Sequence, residues 1–125
     1  MKLELINQLL ESQITICYNG QTKVIDKLII DTGAAHTIIS SDIVDDLGIR
    51  FENGDQLVSA FGIGGEEYSF RKAVGSIKLG DFEIKDIKLD FGDMNDWDIN
   101  GLIGLDILIG GKFIIDLGNL ELVQI

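Results

Sequence analysis

The 125-residue sequence has no proline, one cysteine, one histidine, and 10 basic residues against 21 acidic ones. Each shortage excludes something. Cys17 alone cannot form an intramolecular disulfide, and such a chain is expected in a reducing compartment, the cytoplasm. A net charge of −11 would repel a phosphate backbone, which argues against nucleic acid as a partner. No apolar run reaches the roughly 18 residues of a membrane span. Glu4, Asn7 and Gln8 interrupt the first ten residues where a secretory signal would be apolar, so neither a signal nor a membrane anchor is expected. His36 has no second histidine or cysteine nearby, so no metal site is expected, and no cofactor is called for.

What the chain does have is apolar side chain and glycine. Hydrophobic residues make up 46% of it, enough for one ordinary core, and the length suits one domain over residues 1–125. Fifteen glycines without proline imply many tight turns. Three two-residue hairpin turns are predicted, at Asn19-Gly20, Gly80-Asp81 and Gly118-Asn119, each between runs of β-forming residues. Period-2 alternation runs from Phe82 to Phe91 with one slip at Asp86-Ile87, where a bulge is expected. Short helices are expected over Ser41 to Leu47, closed by Gly48, and Leu105 to Ile109, closed by Gly110-Gly111. Met1 to Ser12 reads as a strand. The pattern is that of an all-β, mainly antiparallel domain with one or two short helices.

One segment places chemistry at the end of an apolar strand. In Leu28-Ile29-Ile30-Asp31-Thr32-Gly33-Ala34-Ala35, a carboxylate follows three apolar residues and precedes a hydroxyl, a glycine and two alanines. An ionised carboxylate in an apolar setting is costly unless hydrogen bonds hold it or it shares a proton with a neighbour. Gly33, Ala34 and Ala35 keep the loop narrow, so another backbone or a substrate can come close. Asp-Thr-Gly alone is also a common turn; here a second apolar segment follows it, and Leu102-Ile103-Gly104 opens a short helix near the C-terminus.

Other motifs fail on inspection. Gly62-Ile63-Gly64-Gly65 has neither a following lysine nor a helix start, and Glu66-Glu67 would repel phosphate. Asp96 to Gly101 matches the first half of a calcium loop, but Ile107 stands where a glutamate is required. Cys17 lies within a predicted strand, the place of a small buried hydrophobe rather than of a nucleophile paired with His36.

These segments together resemble the retropepsin-like aspartic proteases, the single-lobed, retroviral-type family, over most of the chain. Asp31-Thr32-Gly33-Ala34 is similar to the active-site loop, and Leu102-Ile103-Gly104 to the apolar-apolar-glycine motif before the C-terminal helix. Ala60-Phe61-Gly62-Ile63-Gly64-Gly65 lies where the glycine-rich flap is expected. The resemblance implies a closed, barrel-like acid-protease lobe, Asp31 as the catalytic aspartate, and Thr32 as the hydroxyl bracing two active-site loops. Gly33 and Ala34 would shape the loop, and Ile63, Gly64 and Gly65 would close over an extended peptide or protein substrate. Met1 to Ser12 has no clear counterpart in that pattern.

Aspartic-protease chemistry needs two carboxylates sharing a proton. The sequence has one such loop, so the partner must be Asp31 of a second copy, and the expected enzyme is a homodimeric endopeptidase. The other reading is a catalytically silent retropepsin-like domain used for dimerisation or peptide binding.

Overall fold

The computed structural model describes residues 1–62 and 65–124. Twelve strands are interrupted by two short helical segments. They are β1 (Glu4–Ile6), β2 (Leu9–Tyr18), β3 (Gln21–Ile30), β4 (Ile38–Ser40), β5 (Gln56–Gly62), β6 (Gly65–Ala73), β7 (Ser76–Leu79), β8 (Phe82–Lys85), β9 (Lys88–Gly92), β10 (Gly101–Ile103), β11 (Phe113–Asp116) and β12 (Glu121–Gln124). A single 3-10 turn spans Asp45–Leu47, and the helix α1 spans Leu105–Gly110. Among the described residues no helix is long and apolar enough to cross a membrane.

The main sheet runs in the order β5-β6-β9-β4-β10-β3-β2-β7-β8, with β1 added beside β2. The fold is all-β and mostly antiparallel, as the sequence pattern indicates. The path has two ends, however, so the sheet is open rather than closed into a barrel. Two pairings are parallel, β10 with β3 and β4 with β9. β10 is threaded between β3 and β4, parallel to the first and antiparallel to the second, and that threading positions the site. Ile14, Ile16, Leu28, Ile39, Ile77, Phe91, Ile103 and Ile107 form the heart of the core, all essentially inaccessible.

The predicted hairpin at Asn19-Gly20 is present, with φ of 50° and 78°, the two positive values of a type I′ turn. Gly80-Asp81 likewise joins β7 to β8, with Leu79 opposite Phe82. The third turn is longer than predicted. Asp116 is the last residue of β11 to pair, with Glu121, so the connection has four residues and Leu120 takes a φ of 51°. Asp116 stabilises it by accepting from the Asn119 backbone N–H and side-chain amide, at 3.0 and 2.9 Å.

Three other expectations change. The slip at Asp86-Ile87 is a break between strands, with Asp86 at φ 56°, because β8 pairs with β7 whereas β9 leaves to pair with β6 and β4. Ser41 to Leu47 forms turns and the single 3-10 turn; no side chain caps it, although Gly48 does end it in the left-handed conformation. Met1 to Ser12 is extended as expected but folds back at Asn7-Gln8, both with positive φ, making β1 and the start of β2 a hairpin. A bulge does occur elsewhere. Between Ile25 and Leu28, β3 carries one residue more than β2, and Lys27 takes a φ of 53°.

Ion pairs from two cations, Arg71 and Lys72, secure β6. Arg71 makes a two-pronged contact with Asp90 of β9, Nε to Oδ1 at 2.7 Å and its second nitrogen to Oδ2 at 3.2 Å. Lys72, mostly buried, reaches Asp55 at 2.9 Å and Glu52 at 3.2 Å in the segment before β5. The Lys72 hydrogen bond, with a backbone N–H from Glu52, holds the Asp55 carboxyl below its ordinary value of 3.8. A depressed carboxyl stabilises the fold above its unfolded pKa and loses that contribution as pH falls through the folded value. Asp55→Asn should therefore reduce the loss of stability on going from pH 5 to pH 3, measured as the shift in urea midpoint.

Gly101 is the tightest point of the threaded strand. At φ +152° it lies so close to β4 that a Cβ would run into the Ile38 carbonyl oxygen and come 3.0 Å from the Ile39 Cα. Gly101→Ala should cost at least about 3 kcal/mol, read from urea unfolding, because backbone must move on both sides.

Candidate active site

Asp31 follows β3, and its backbone N–H donates to the Ile103 carbonyl at 2.9 Å, extending the parallel pairing of β3 and β10 by one step. The carboxylate is half-buried. Its Oδ1 accepts the Gly33 N–H at 2.8 Å, and a Cβ at Gly33 would lie 3.1 Å from that oxygen. The glycine thus lets the loop curl tightly around its own aspartate. Thr32 and Gly33 are exposed, Ala34 is half-buried, and the Thr32 hydroxyl has no hydrogen-bond partner among the described residues.

Leu102-Ile103-Gly104 lies against this loop. Gly104 precedes α1, and a Cβ there would be 2.6 Å from the Ala34 oxygen and 2.9 Å from the His36 carbonyl carbon. Its bareness brings the first amides of α1 onto the loop. Leu105 donates to the Ala34 carbonyl at 2.8 Å and Asp106 to the Ala35 carbonyl at 3.2 Å. These are helix N-terminal N–H groups that have no partner inside the helix, so the loop satisfies them.

The side chains joining the two segments are Thr37 and Asp106, neither singled out from the sequence. Thr37 is fully buried. Its hydroxyl accepts the Gly104 N–H at 3.0 Å and donates to Asp106 Oδ1 at 2.7 Å, while its backbone N–H donates to Asp106 Oδ2 at 2.9 Å. The Ile107 N–H also donates to Oδ1, at 2.9 Å. All three of these contacts are donations to the Asp106 carboxyl group. The sequence signal was available: a threonine inside an apolar run, and an aspartate in the first turn of a short helix.

The cross-strand register defines the face that Asp31 shares. Ile29, Leu102, Ile38, Asp90 and Arg71 form one row across β3, β10, β4, β9 and β6. Asp31 comes two residues after Ile29 and so emerges on the same side. Ile38 and Leu102 are half-buried there, an apolar floor beside the carboxylate.

The expected flap falls on the β5/β6 hairpin. Gly65 opens β6 and pairs with Gly62, whereas Ile63 and Gly64 lie outside the described residues. Cys17 is in β2, and Gly75 donates to its carbonyl at 2.9 Å; His36 is exposed on the loop after Asp31. Asp96 to Asn100 is a turn with no helix entering it, unlike a calcium loop. Among the described residues no three His, Cys, Asp or Glu side chains come together as a metal site would need.

The model of a family described as aspartyl protease matches residues 13–107, which include both loops. The chain belongs to the aspartyl protease family. No curated protein matches it. Among solved structures it is similar to a retropepsin-like aspartic protease from Rickettsia conorii, with a TM-score of 0.68 and 23% identity over 92% of this chain and 82% of that one. At that identity the likeness shows the fold, which is retropepsin-like.

Thr37→Val keeps the shape but removes the hydroxyl, leaving the Gly104 N–H unpaired in a buried place. It should cost about 2–3 kcal/mol by urea unfolding, whereas Thr37→Ser should cost under about 1 kcal/mol.

Proposed function

We propose that this aspartyl protease family member is an endopeptidase that hydrolyses extended peptide segments as a homodimer, each copy contributing Asp31. One observation carries the reading. The chain brings a single carboxylate, Asp31, to the open end of the paired loops, where the neighbouring Thr32 is exposed and its hydroxyl unpartnered among the described residues. That is half of a two-carboxylate site with its other side open. A two-fold axis beside Thr32 would bring a second Asp31 across, and two carboxylates about 3 Å apart share one proton.

The chemistry then follows. The ionised Asp31 takes a proton from water as the water oxygen bonds to the peptide carbonyl carbon, and the protonated Asp31 gives its proton to the carbonyl oxygen. The resulting diol collapses. Its C–N bond breaks as the first carboxyl passes the proton to nitrogen, and the second recovers one from the diol. Gly33 keeps one oxygen of each Asp31 oriented, Thr32 braces the loops across the axis, and Ala34 leaves room for substrate. Ile63, Gly64 and Gly65, the flap that the sequence resemblance implies, would close over the substrate. No metal or cofactor enters this scheme.

The terminal strands are the expected interface, and β11 is the edge that can receive a partner. β12 is already bonded on both sides within the chain, to β11 and to the first residues through Leu3 N–H to Leu120 O and Leu122 N–H to Met1 O, both at 2.8 Å. Ile114 and Val123, directly paired and both exposed, offer apolar surface for a second copy. Cys17 as the lone cysteine fits a reducing, cytoplasmic setting.

Asp31→Asn should abolish peptide cleavage while leaving circular dichroism unchanged. An excess of Asp31→Asn chains mixed with wild type should suppress activity by forming heterodimers, and dilution should lower specific activity. Full specific activity from a species that sediments as a monomer would overturn the shared site.

A further inference from the structure

A second row of residues runs parallel to the Ile29-Leu102-Ile38 floor, one pleat further along the same face. Ser40 pairs with Gly92, Asn100 accepts from the Ser40 N–H at 2.8 Å, and Lys27 accepts from the Asn100 N–H at 2.8 Å. Beside this row the 93–100 connection forms one wall of an open cavity of about 370 Å³. Met94, almost fully buried, lines its interior, and the Trp97 indole is 57% exposed at its wall. The Trp97 N–H donates to the Met94 carbonyl at 3.1 Å, which fixes the turn carrying the indole.

The charged groups lining the cavity are two carboxylates and one ammonium. Asp26 and Asp98 both line it. The Asn100 side-chain amide donates to the Asp26 carbonyl at 3.0 Å and to its Oδ1 at 3.2 Å, holding that carboxylate at the rim. The cation lining the cavity is Lys27, and its ammonium already lies 3.4 Å from Asp98 Oδ1. That contact is longer than a good charge-assisted hydrogen bond, and both side chains are largely in water, so a competing cation can displace it. Two carboxylates beside an exposed indole suit a guanidinium or ammonium group, which gains from the ring face as well as the charge.

We propose that this cavity is a specificity subsite for a substrate arginine or lysine, with Trp97, Asp98 and Asp26 as its recognition residues. The proposal rests on the protease reading only for the source of the cation. The cavity lies on the Asp31 face, and four residues of extended strand, about 13 Å, separate Lys27 from Asp31. A peptide lying along that face would place in the cavity a side chain three to five residues from the bond cleaved. The substrate class is therefore a basic extended segment, consistent with a protein of net charge −11.

Trp97 is the one tryptophan of the chain, so its fluorescence reports on this site directly. The test uses full-length Asp31→Asn protein and otherwise neutral ten-residue peptides in which one arginine is moved along the sequence, with citrulline in place of arginine as the uncharged control. Arginine at its best position should tighten binding about tenfold over citrulline and change Trp97 emission. Asp98→Lys, on an exposed turn, should erase that advantage, and wild-type protein should show it as a lower KM. Equal affinity for the two peptides, an advantage that survives both Asp98→Lys and Trp97→Ala, or no peptide binding at all would overturn the proposal. Arginine-selective binding without cleavage by wild type would overturn the protease reading and leave this site standing, while equal cleavage of both peptide sets would do the reverse.

Discussion

A hydroxyl has one proton to give, and that of Thr37 is committed to Asp106, so its lone pairs are free for the Gly104 N–H. This fixed direction of donation welds the Asp31 loop to the start of α1. The residues between Asp31 and Thr37 have no regular structure of their own, and α1 is barely more than a turn. Neither would hold its position alone. Joined through Thr37, Asp106 and the close contact at Gly104, they form one rigid unit that presents Asp31 from the end of β3. The threading of β10 between β3, to which it is parallel, and β4, to which it is antiparallel, is the same constraint at the level of the sheet, since Gly101 opens that strand and Gly104 follows it.

The β5/β6 arm is tied to this unit by charge as well as by the packing of Phe70 on Phe91. Arg71 pairs with Asp90, and the Asp90 N–H donates to the Thr37 carbonyl at 3.1 Å, so the root of the β5/β6 hairpin is two contacts away from the Asp31 loop. A guanidinium this shielded from water is stabilising only because both its prongs are met, and neighbouring Asp106 further favours its charged form. Movement of the hairpin would therefore be felt at the loop through a short, stiff chain of polar contacts.

Much of this was legible in the residues. Asn19-Gly20 supplies both positive φ angles itself, and Asp31-Thr32-Gly33 with Leu102-Ile103-Gly104 marked the two segments that do meet. The misreadings share a cause: tertiary contacts overrode local preference. The predicted turn at Gly118-Asn119 ends before Leu120, yet Asp116 bonding to Asn119 makes a longer loop in which Leu120 takes a positive φ. Ser41 to Leu47 carries helix punctuation but lacks the length to propagate, and Ser41 instead donates its backbone N–H to Gly92. Asp86 looked like a bulge because periodicity does not say which strand a segment pairs with. Thr37 and Asp106 escaped notice because each is unremarkable alone, and only the pairing of residues 69 apart makes them a brace.

Five of the connections between strands, at residues 7–8, 19–20, 74–75, 80–81 and 86–87, are only two residues long. Short connections of this kind resist proteolysis. An extended-substrate cleft needs several consecutive residues that can straighten out, and a two-residue turn pinned by ladder bonds on both sides offers none. The long connections are 41–55 and 93–100. The first is anchored by Lys72 and the second by Met94 and Asn100, so the fold leaves few stretches of backbone that a protease could draw out and cut.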